Sequence, residues 1–157
     1  MPYIMSDLAT EPFPSCHRER AARLSLLAMA VAFLPYFVIV GLSPPTAPLP
    51  DVDSIVRFAA TVTLQVVILG VGHAWLRLRW PEEARAPADE RDRAIGHRSL
   101  RLAYPVLVVG MILVGCVMPF HAAGWELIHA ALFVIVVAEA VHYGAIVWGY
   151  RRGWADR

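Results

Sequence analysis

The sequence predicts an all-α integral membrane protein with four transmembrane helices. Apolar residues make up 58% of the 157-residue chain, above the roughly 45–50% found in soluble domains. They are concentrated in four blocks, at residues 24–42, 55–76, 102–120 and 127–148. Each block has the ~20 residues that a helix rising 1.5 Å per residue needs to cross ~30 Å of hydrocarbon. Because backbone groups in lipid must hydrogen-bond internally, each block is expected to be a helix.

The arginines predict how these spans are oriented. All 14 basic residues are arginine, and positively charged loops stay on the cytoplasmic side of a membrane. All but Arg57 lie before the first block, beside or between the second and third, or after the fourth: Arg18, Arg20, Arg23, Arg77, Arg79, Arg85, Arg91, Arg93, Arg98, Arg101, Arg151, Arg152 and Arg157. Both termini and the middle loop are therefore expected in the cytoplasm, and the spans should form two antiparallel hairpins.

The chain divides accordingly into an N-terminal cytoplasmic tail, a transmembrane domain and a C-terminal cytoplasmic tail, at residues 1–23, 24–150 and 151–157, with residues 77–101 as the cytoplasmic loop. The first block is longer than the apolar region of a signal peptide, so we expect it to be a retained span. The expected location is the bacterial cytoplasmic membrane. The net charge of +1, with arginines that flank spans instead of forming a basic face, argues against nucleic-acid binding.

The two connections on the outer side are short. "SPPTAPLPDVDS", at 43–54, contains four prolines and is expected to be extended. Asp53 or Ser54 is expected to cap the helix that follows. The turn "MPFHAAGW" is brief, so the third and fourth spans should be antiparallel neighbours.

A carboxylate lies in the fourth apolar block. Glu139, in "FVIVVAEAVHYGA", is one to two residues from the middle of that block, where a charge costs at least a few kcal/mol. His142 and Tyr143 share its helical face, and Gln65 and His73 are polar positions of the second block. These residues predict a polar seam between the second and fourth spans. The seam would join helices or a homodimer by hydrogen bonds or would handle protons or a ligand; otherwise a protonated Glu139 faces outward.

Two histidines of this seam raise the question of a cofactor. A b-type haem needs two histidines that face each other from neighbouring helices at similar depth, and His73 and His142 both lie in the cytoplasmic halves of their spans. Intramembrane histidines also serve as hydrogen-bonded packing residues. The expected cofactor content is none, with haem b as the alternative.

The outer end of the third and fourth spans carries potential metal ligands. Soft sulfur and imidazole groups together suit copper or zinc. The residues are Cys116, Met118, His121, Glu126 and His129. The same residue types also suit the end of a span, so this set is a candidate only.

The middle loop enters the third span through "ADERDRAIGHRSLRLAYPVL", which predicts a solvated, charged helix that can contact anionic headgroups. The expected cytoplasmic contact segment comprises Asp89, Glu90, Arg91, Asp92, Arg98 and Arg101. Together with Ile95, these residues resemble a family of small, uncharacterised prokaryotic membrane proteins with four spans and a D-E-R-D segment before the third. The resemblance implies a domain of unknown function with a cytoplasmic contact site.

Sequence motifs favour no enzymatic activity, and no catalytic residue is assigned. The chain has no H-E-x-x-H, no G-x-S-x-G and no phosphate-binding glycine loop. The leading hypothesis is a non-enzymatic sensor, regulator or accessory subunit that contacts a cytoplasmic protein through the middle loop, as a homodimer or within a larger membrane complex. The alternatives are a small proton-coupled transporter that uses Glu139 and a b-haem or quinone redox protein.

Overall fold

The computed structural model describes residues 17–44, 51–122 and 124–152, and these residues form helices without any strand. The elements in chain order are α1 (His17–Leu42), α2 (Val52–Arg79), the short α3 (Pro81–Arg85), α4 (Glu90–Ile112), a π-helical turn (Leu113–Val117), a 3-10 turn (Met118–Phe120) and α5 (Trp125–Arg152).

Four of these helices are long and apolar enough to cross a bilayer. They are α1 with 26 residues, α2 with 28, the continuous stretch Glu90–Phe120 with 31, and α5 with 28. The four apolar blocks lie within these four helices. The prediction of an all-helical chain with four candidate spans is therefore confirmed, and it indicates a multi-pass membrane protein.

The helices extend beyond the apolar blocks at the ends rich in arginine. α1 begins at His17, within the segment 1–23 interpreted above as a tail, and α4 begins at Glu90, twelve residues before the apolar block at 102. Apolar content marks the part of a helix that contacts lipid, while the helix itself continues as long as its residues favour it. The bundle therefore carries helical extensions on one side of the expected membrane.

Side chains cap two of the helices. At α2 the cap is Asp51, and not Asp53 or Ser54 as expected, because the Asp51 carboxylate accepts hydrogen bonds from the Ser54 backbone at 3.2 Å and from its hydroxyl at 2.5 Å. The hydroxyl bond from Ser54 holds the pKa of the Asp51 carboxyl below its ordinary value. At α4, Asp89 and Asp92 form a capping box, the arrangement that satisfies two otherwise unpaired backbone N–H groups.

The third span ends in irregular helix. Pro105 lies inside α4 and cannot donate a backbone hydrogen bond. Past Ile112 the chain widens into the π-helical turn and then tightens into the 3-10 turn. Gly124 has φ of 56°, a left-handed conformation that glycine adopts without steric cost, and α5 begins at the next residue. A short turn thus joins the third and fourth spans.

In the part of the chain that the structure describes, helices α1 and α5 each pack broadly against two other long helices, whereas α2 and α4 each pack broadly against one. Within the described residues, the broad contacts between long helices are α1 with α2, α1 with α5, and α4 with α5. The buried core lies between α1 and α5, where Met29, Phe33 and Tyr36 pack against Leu132 and Val136. Helix α2 contributes little to this core: none of the most apolar stretch of α2 is buried, so α2 lies at an edge of the bundle.

Two glycines lie where neighbouring helices approach closely. A Cβ at Gly72 of α2 would lie 2.6 Å from the Leu24 side chain of α1, and a Cβ at Gly110 of α4 would overlap both methyl groups of Val134 in α5. Small residues at such points let helices pack in lipid, where no hydrophobic force draws them together. Leu24 is contacted at its flexible end and can rotate away. Val134 is contacted at its stiff branched carbon and cannot.

We predict that Gly110→Ala destabilises the bundle, because the added methyl group forces α4 and α5 apart. The overpacking should cost about 1–3 kcal/mol and lower the melting temperature of the protein in detergent. The matched control is Gly115→Ala, since a Cβ at Gly115 meets no atom within 4 Å. Equal melting temperatures for the two variants would show that the contact at Gly110 does not hold the helices together.

Candidate functional site

One carboxylate joins three helices at the arginine-rich end of the bundle. The Asp92 side chain, at the start of α4, pairs through Oδ2 with Arg18 Nε of α1 at 3.0 Å. Its other oxygen, Oδ1, accepts a hydrogen bond from the Tyr150 hydroxyl of α5 at 2.5 Å. Oδ2 also accepts the Asp89 backbone N–H at 3.2 Å as part of the capping box. We call Arg18, Asp92 and Tyr150 the Asp92 junction.

A second ion group lies beside the Asp92 junction. Glu19 of α1 is buried, with 6% of its surface exposed, and pairs with Arg23 one turn further along α1 and with Arg151 Nε of α5 at 3.7 Å. A buried carboxylate needs such partners, because an unpaired one costs several kcal/mol. This group ties the end of α5 to the start of α1.

The middle loop is held against the same end of α1. Arg20 lies 3.6 Å from the Glu83 carboxylate of α3, and its guanidinium is 4.1 Å from the centre of the Trp80 ring. Arg18 also donates a hydrogen bond to the Ala86 carbonyl at 3.5 Å. Cation–π and ion-pair contacts of this kind are individually weak at a surface. Together they fold the loop onto the helix ends.

A cavity of about 290 Å³ lies next to the Asp92 junction, where residues of all four long helices meet. Each long helix contributes residues to the lining: α1 contributes Arg18, Ala21, Ala22 and Ser25; α2 contributes His73; α4 contributes Asp92, Ile95 and Gly96; and α5 contributes Tyr143, Ile146 and Tyr150. The lining combines an ion pair and several hydroxyl or imidazole groups with small apolar side chains. It is therefore the candidate functional site of the chain.

Two polar residues of α2 face α1. Arg57 and Thr61 line a second cavity of about 280 Å³ against Pro35 and Tyr36 of α1, and Gln65, one turn further along, is half-buried. Since α1 packs against both α2 and α5, it lies between the two helices that the predicted seam would join.

The remaining seam residues separate into two groups. His73 and Tyr143 both line the cavity beside the Asp92 junction. Glu139 is exposed on the outer surface of α5. His142 contacts the Tyr143 ring at 5.1 Å between centroids, and its Nδ1 is shielded without a hydrogen-bond partner among the described residues.

The predicted contact segment likewise divides between the two faces of α4. The side chains of Asp89 and Asp92 form the capping box, and Asp92 also belongs to the Asp92 junction. Arg91 is half-buried, whereas Glu90, Arg98 and Arg101 are exposed. The acidic part of the segment is thus mainly structural, and the exposed part is mainly basic.

The outer-end metal candidates do not assemble into a ligand set. Cys116, His121 and Glu126 are exposed, and Met118 is half-buried. His129 is buried and stacks on the Trp125 ring at 5.7 Å, with the Tyr36 ring at 5.8 Å. Within residues 17–44, 51–122 and 124–152, no three His, Cys, Asp or Glu side chains are close enough to hold one metal ion. The aromatic contacts of His129 account for it as a packing residue.

Sequence reasoning missed several residues of the cavity. Arg18 was interpreted only as a marker of orientation, and Tyr150, Ser25 and Gly96 were not singled out. One available signal was that Tyr143 and Tyr150 are seven residues apart and so lie on one face of a helix. The hydroxyl of Tyr150 bonds to Asp92, which lies 58 positions away in the chain, and no local pattern connects these two residues.

Comparisons of the chain with protein-family models, curated proteins and solved structures found no match. The function must therefore follow from the side chains of the site and from the surfaces around it.

We predict that Asp92→Ala destabilises the protein more than substitution of its neighbour. The variant loses two charge-assisted hydrogen bonds and half of the capping box, and leaves Arg18 without its carboxylate, so the free energy of unfolding should fall by about 1–3 kcal/mol. Glu90→Ala is the matched control, because the Glu90 side chain is exposed and forms no hydrogen bond or ion pair among the described residues. Thermal unfolding of both variants in detergent measures the difference, and a Glu90→Ala effect as large as that of Asp92→Ala would contradict the role of the junction.

Proposed function

We propose that this chain is a non-enzymatic accessory or regulatory subunit of the bacterial cytoplasmic membrane that binds a cytoplasmic protein through the start of α4. In this proposal both termini and the loop 77–101 lie in the cytoplasm, and the four spans form two antiparallel hairpins. The arginines at the ends of the helices support this orientation.

The observation that carries the proposal is that the first part of α4 has one buried face and one exposed, charged face. Ile95, Ser99 and Ala103 form a buried stripe, each with 7% or less of its surface exposed. On the opposite face, at helical spacing, the charged or titratable residues Glu90, Arg93, His97 and Arg101 are exposed. We call this set the charged stripe. The capping box and the Asp92 junction hold the helix that displays it.

The first part of the charged stripe, Glu90 and Arg93, lies too far from the apolar block to contact lipid headgroups and favours a protein as its partner, whereas His97 and Arg101 lie at headgroup depth. Arg93 lies nine residues before position 102, which is about 14 Å along the helix at 1.5 Å per residue. The headgroup layer on each side of a bilayer is only about 5–8 Å thick, so Arg93 lies beyond it when the helix is upright. With two arginines and one carboxylate, the stripe is complementary to a partner surface that is mainly acidic.

We predict that a photoreactive amino acid at His97 captures one discrete cytoplasmic protein in cells, because His97 lies within the charged stripe. Binding of that protein, once identified and purified, to the chain in nanodiscs should weaken about tenfold or more in the double variant Arg93→Glu, Arg101→Glu, since charge repulsion replaces attraction. Fluorescence titration measures the affinity.

Arg85→Glu with Arg79→Glu is the matched control for this experiment, because both arginines are exposed outside the charged stripe. An equal loss in the control variant would show a non-specific charge effect and contradict the proposal. The proposal would also be wrong if two results were found together. One is that no protein is captured at position 97, and the other is that the Arg93→Glu, Arg101→Glu variant loses only its binding to vesicles that contain anionic lipid.

We further propose that the subunit is a homodimer joined through Glu139. The side chain is exposed on α5 near the middle of the apolar block at 127–148, where an unpartnered polar group is costly. A twofold axis along the membrane normal places the Glu139 of a second copy at the same depth. Two carboxyl groups, one or both protonated, can then hydrogen-bond to each other and leave the lipid.

We predict that Glu139→Leu weakens dimerisation roughly three- to twentyfold, the effect of losing one interhelical hydrogen bond in a membrane, whereas Glu139→Gln retains most of the affinity. Energy transfer between labelled chains in nanodiscs measures the monomer–dimer equilibrium. Val67→Leu is the control, because Val67 is 53% exposed at mid-span on α2. If Glu139→Gln instead abolished proton-coupled transport and left the dimer intact, the transporter alternative would replace the dimer proposal.

A further inference from the structure

The cavity beside the Asp92 junction has hydrogen-bonding groups that the fold does not use. His73 and Tyr143 both line it, and neither the His73 imidazole nor the Tyr143 hydroxyl forms a hydrogen bond within residues 17–44, 51–122 and 124–152. Ser25 also lines the cavity; its hydroxyl donates to the Ala21 carbonyl at 3.1 Å and keeps its oxygen available as an acceptor. Polar groups that converge on a mostly apolar cavity are the usual features of a small-molecule site.

The charged groups of the lining exclude a strongly charged ligand. Arg18 and Asp92 are the ionised side chains in it, and they neutralise each other at 3.0 Å. Asp92 also accepts a hydrogen bond from the Tyr150 hydroxyl, and Arg18 also donates one to the Ala86 carbonyl. An anion or cation entering the cavity would have to displace a bonded partner, whereas a neutral molecule would not.

The apolar part of the lining indicates the shape of the ligand. Ala21, Ala22 and Ile95 are small or branched and contribute no polar side-chain atoms, and Tyr143 and Tyr150 are aromatic residues of the lining. A Cβ at Gly96 would meet no atom within 4 Å, so the missing side chain of this residue leaves open space in the cavity wall. A flat ring packs well against such a surface, by stacking on the tyrosines and contacting the aliphatic groups.

We infer that this cavity binds a small neutral ring compound that carries a carbonyl or hydroxyl oxygen, the chemical class of a quinone or quinol head group. His73 and Tyr143 donate hydrogen bonds to its oxygen atoms, and the ring occupies the space beside Gly96. The inference concerns binding alone and is independent of the proposed protein partner, because it is tested on the purified chain.

The test is equilibrium dialysis of duroquinone, a tetramethylated single-ring quinone, against the protein in nanodiscs, with empty nanodiscs as the baseline for partition into lipid. We expect saturable binding of one molecule per chain. Durene, the same methylated ring without oxygen atoms, should bind more weakly. Absence of saturable duroquinone binding would overturn the inference, and equal affinity for durene would overturn the assigned hydrogen bonds.

Variants locate the ligand within the protein. Gly96→Leu fills the open space and should weaken duroquinone binding at least tenfold, while Gly70→Leu is the matched control, because a Cβ at Gly70 also meets no atom within 4 Å and Gly70 is exposed outside the cavity. His73→Leu and Tyr143→Phe should each weaken duroquinone binding roughly two- to tenfold, the effect of one lost hydrogen bond, and leave durene binding unchanged. Equal affinities in Gly96→Leu and Gly70→Leu would place the ligand elsewhere and contradict the assignment.

Discussion

The packing of the helix ends depends on the contacts of one carboxylate, that of Asp92. Asp92 closes the capping box of α4, pairs with Arg18 of α1 and accepts the Tyr150 hydroxyl of α5. Only 17% of its side chain is exposed, so loss of these partners would leave a largely shielded charge without compensation. Because three helices meet at this group, the register of their ends is set there. The cavity and the charged stripe of α4 both take their positions from it.

The membrane explains why a polar contact has this importance. Lipid tails are as apolar as leucine side chains, so burial of apolar groups does not draw spans together as it does in water. Within the bilayer, association rests on close approach, as at Gly110, and on aromatic packing around Phe33 and Tyr36. Outside the bilayer, the helical extensions can use ion pairs and hydrogen bonds. The bundle is therefore packed by small and aromatic residues in lipid and joined by charges at the arginine-rich end.

The fold was largely predictable, and the site was predictable only in part. Four apolar blocks of spanning length are a strong signal, because the hydrocarbon core admits little else. Hydropathy does not indicate where a helix ends in water. It therefore could not predict that α1 begins before residue 24 and that α4 begins before residue 102. The cap at α2 is Asp51, which lies two residues before the expected Asp53 and three before Ser54, because a hydropathy pattern does not fix the boundary of a helix to the residue.

The polar residues show more clearly what the sequence alone could not predict, which is the helix that each of them faces. A polar face on α2 could be recognised from helical spacing, but the helix that it faces depends on the packing order of the bundle. In the structure that neighbour is α1, which lies between α2 and α5. The Asp92–Tyr150 bond joins residues 58 positions apart, and the pairing exists only after α4 and α5 have packed. Sequence reasoning therefore placed His73 and Tyr143 in one seam and Asp92 in a separate contact segment, and only the fold places all three in one cavity.

Hydrogen–deuterium exchange of the Asp92→Ala variant in nanodiscs tests the central role of the junction most directly. If Asp92 joins the helix ends, exchange should rise together in three places, at the start of α4, at the start of α1 and at the end of α5 near Tyr150, because all three lose one shared partner. The outer half of α5, near His129, should exchange as in the unsubstituted protein. A rise confined to the first turn of α4 would show that Asp92 only caps its own helix and would contradict this account.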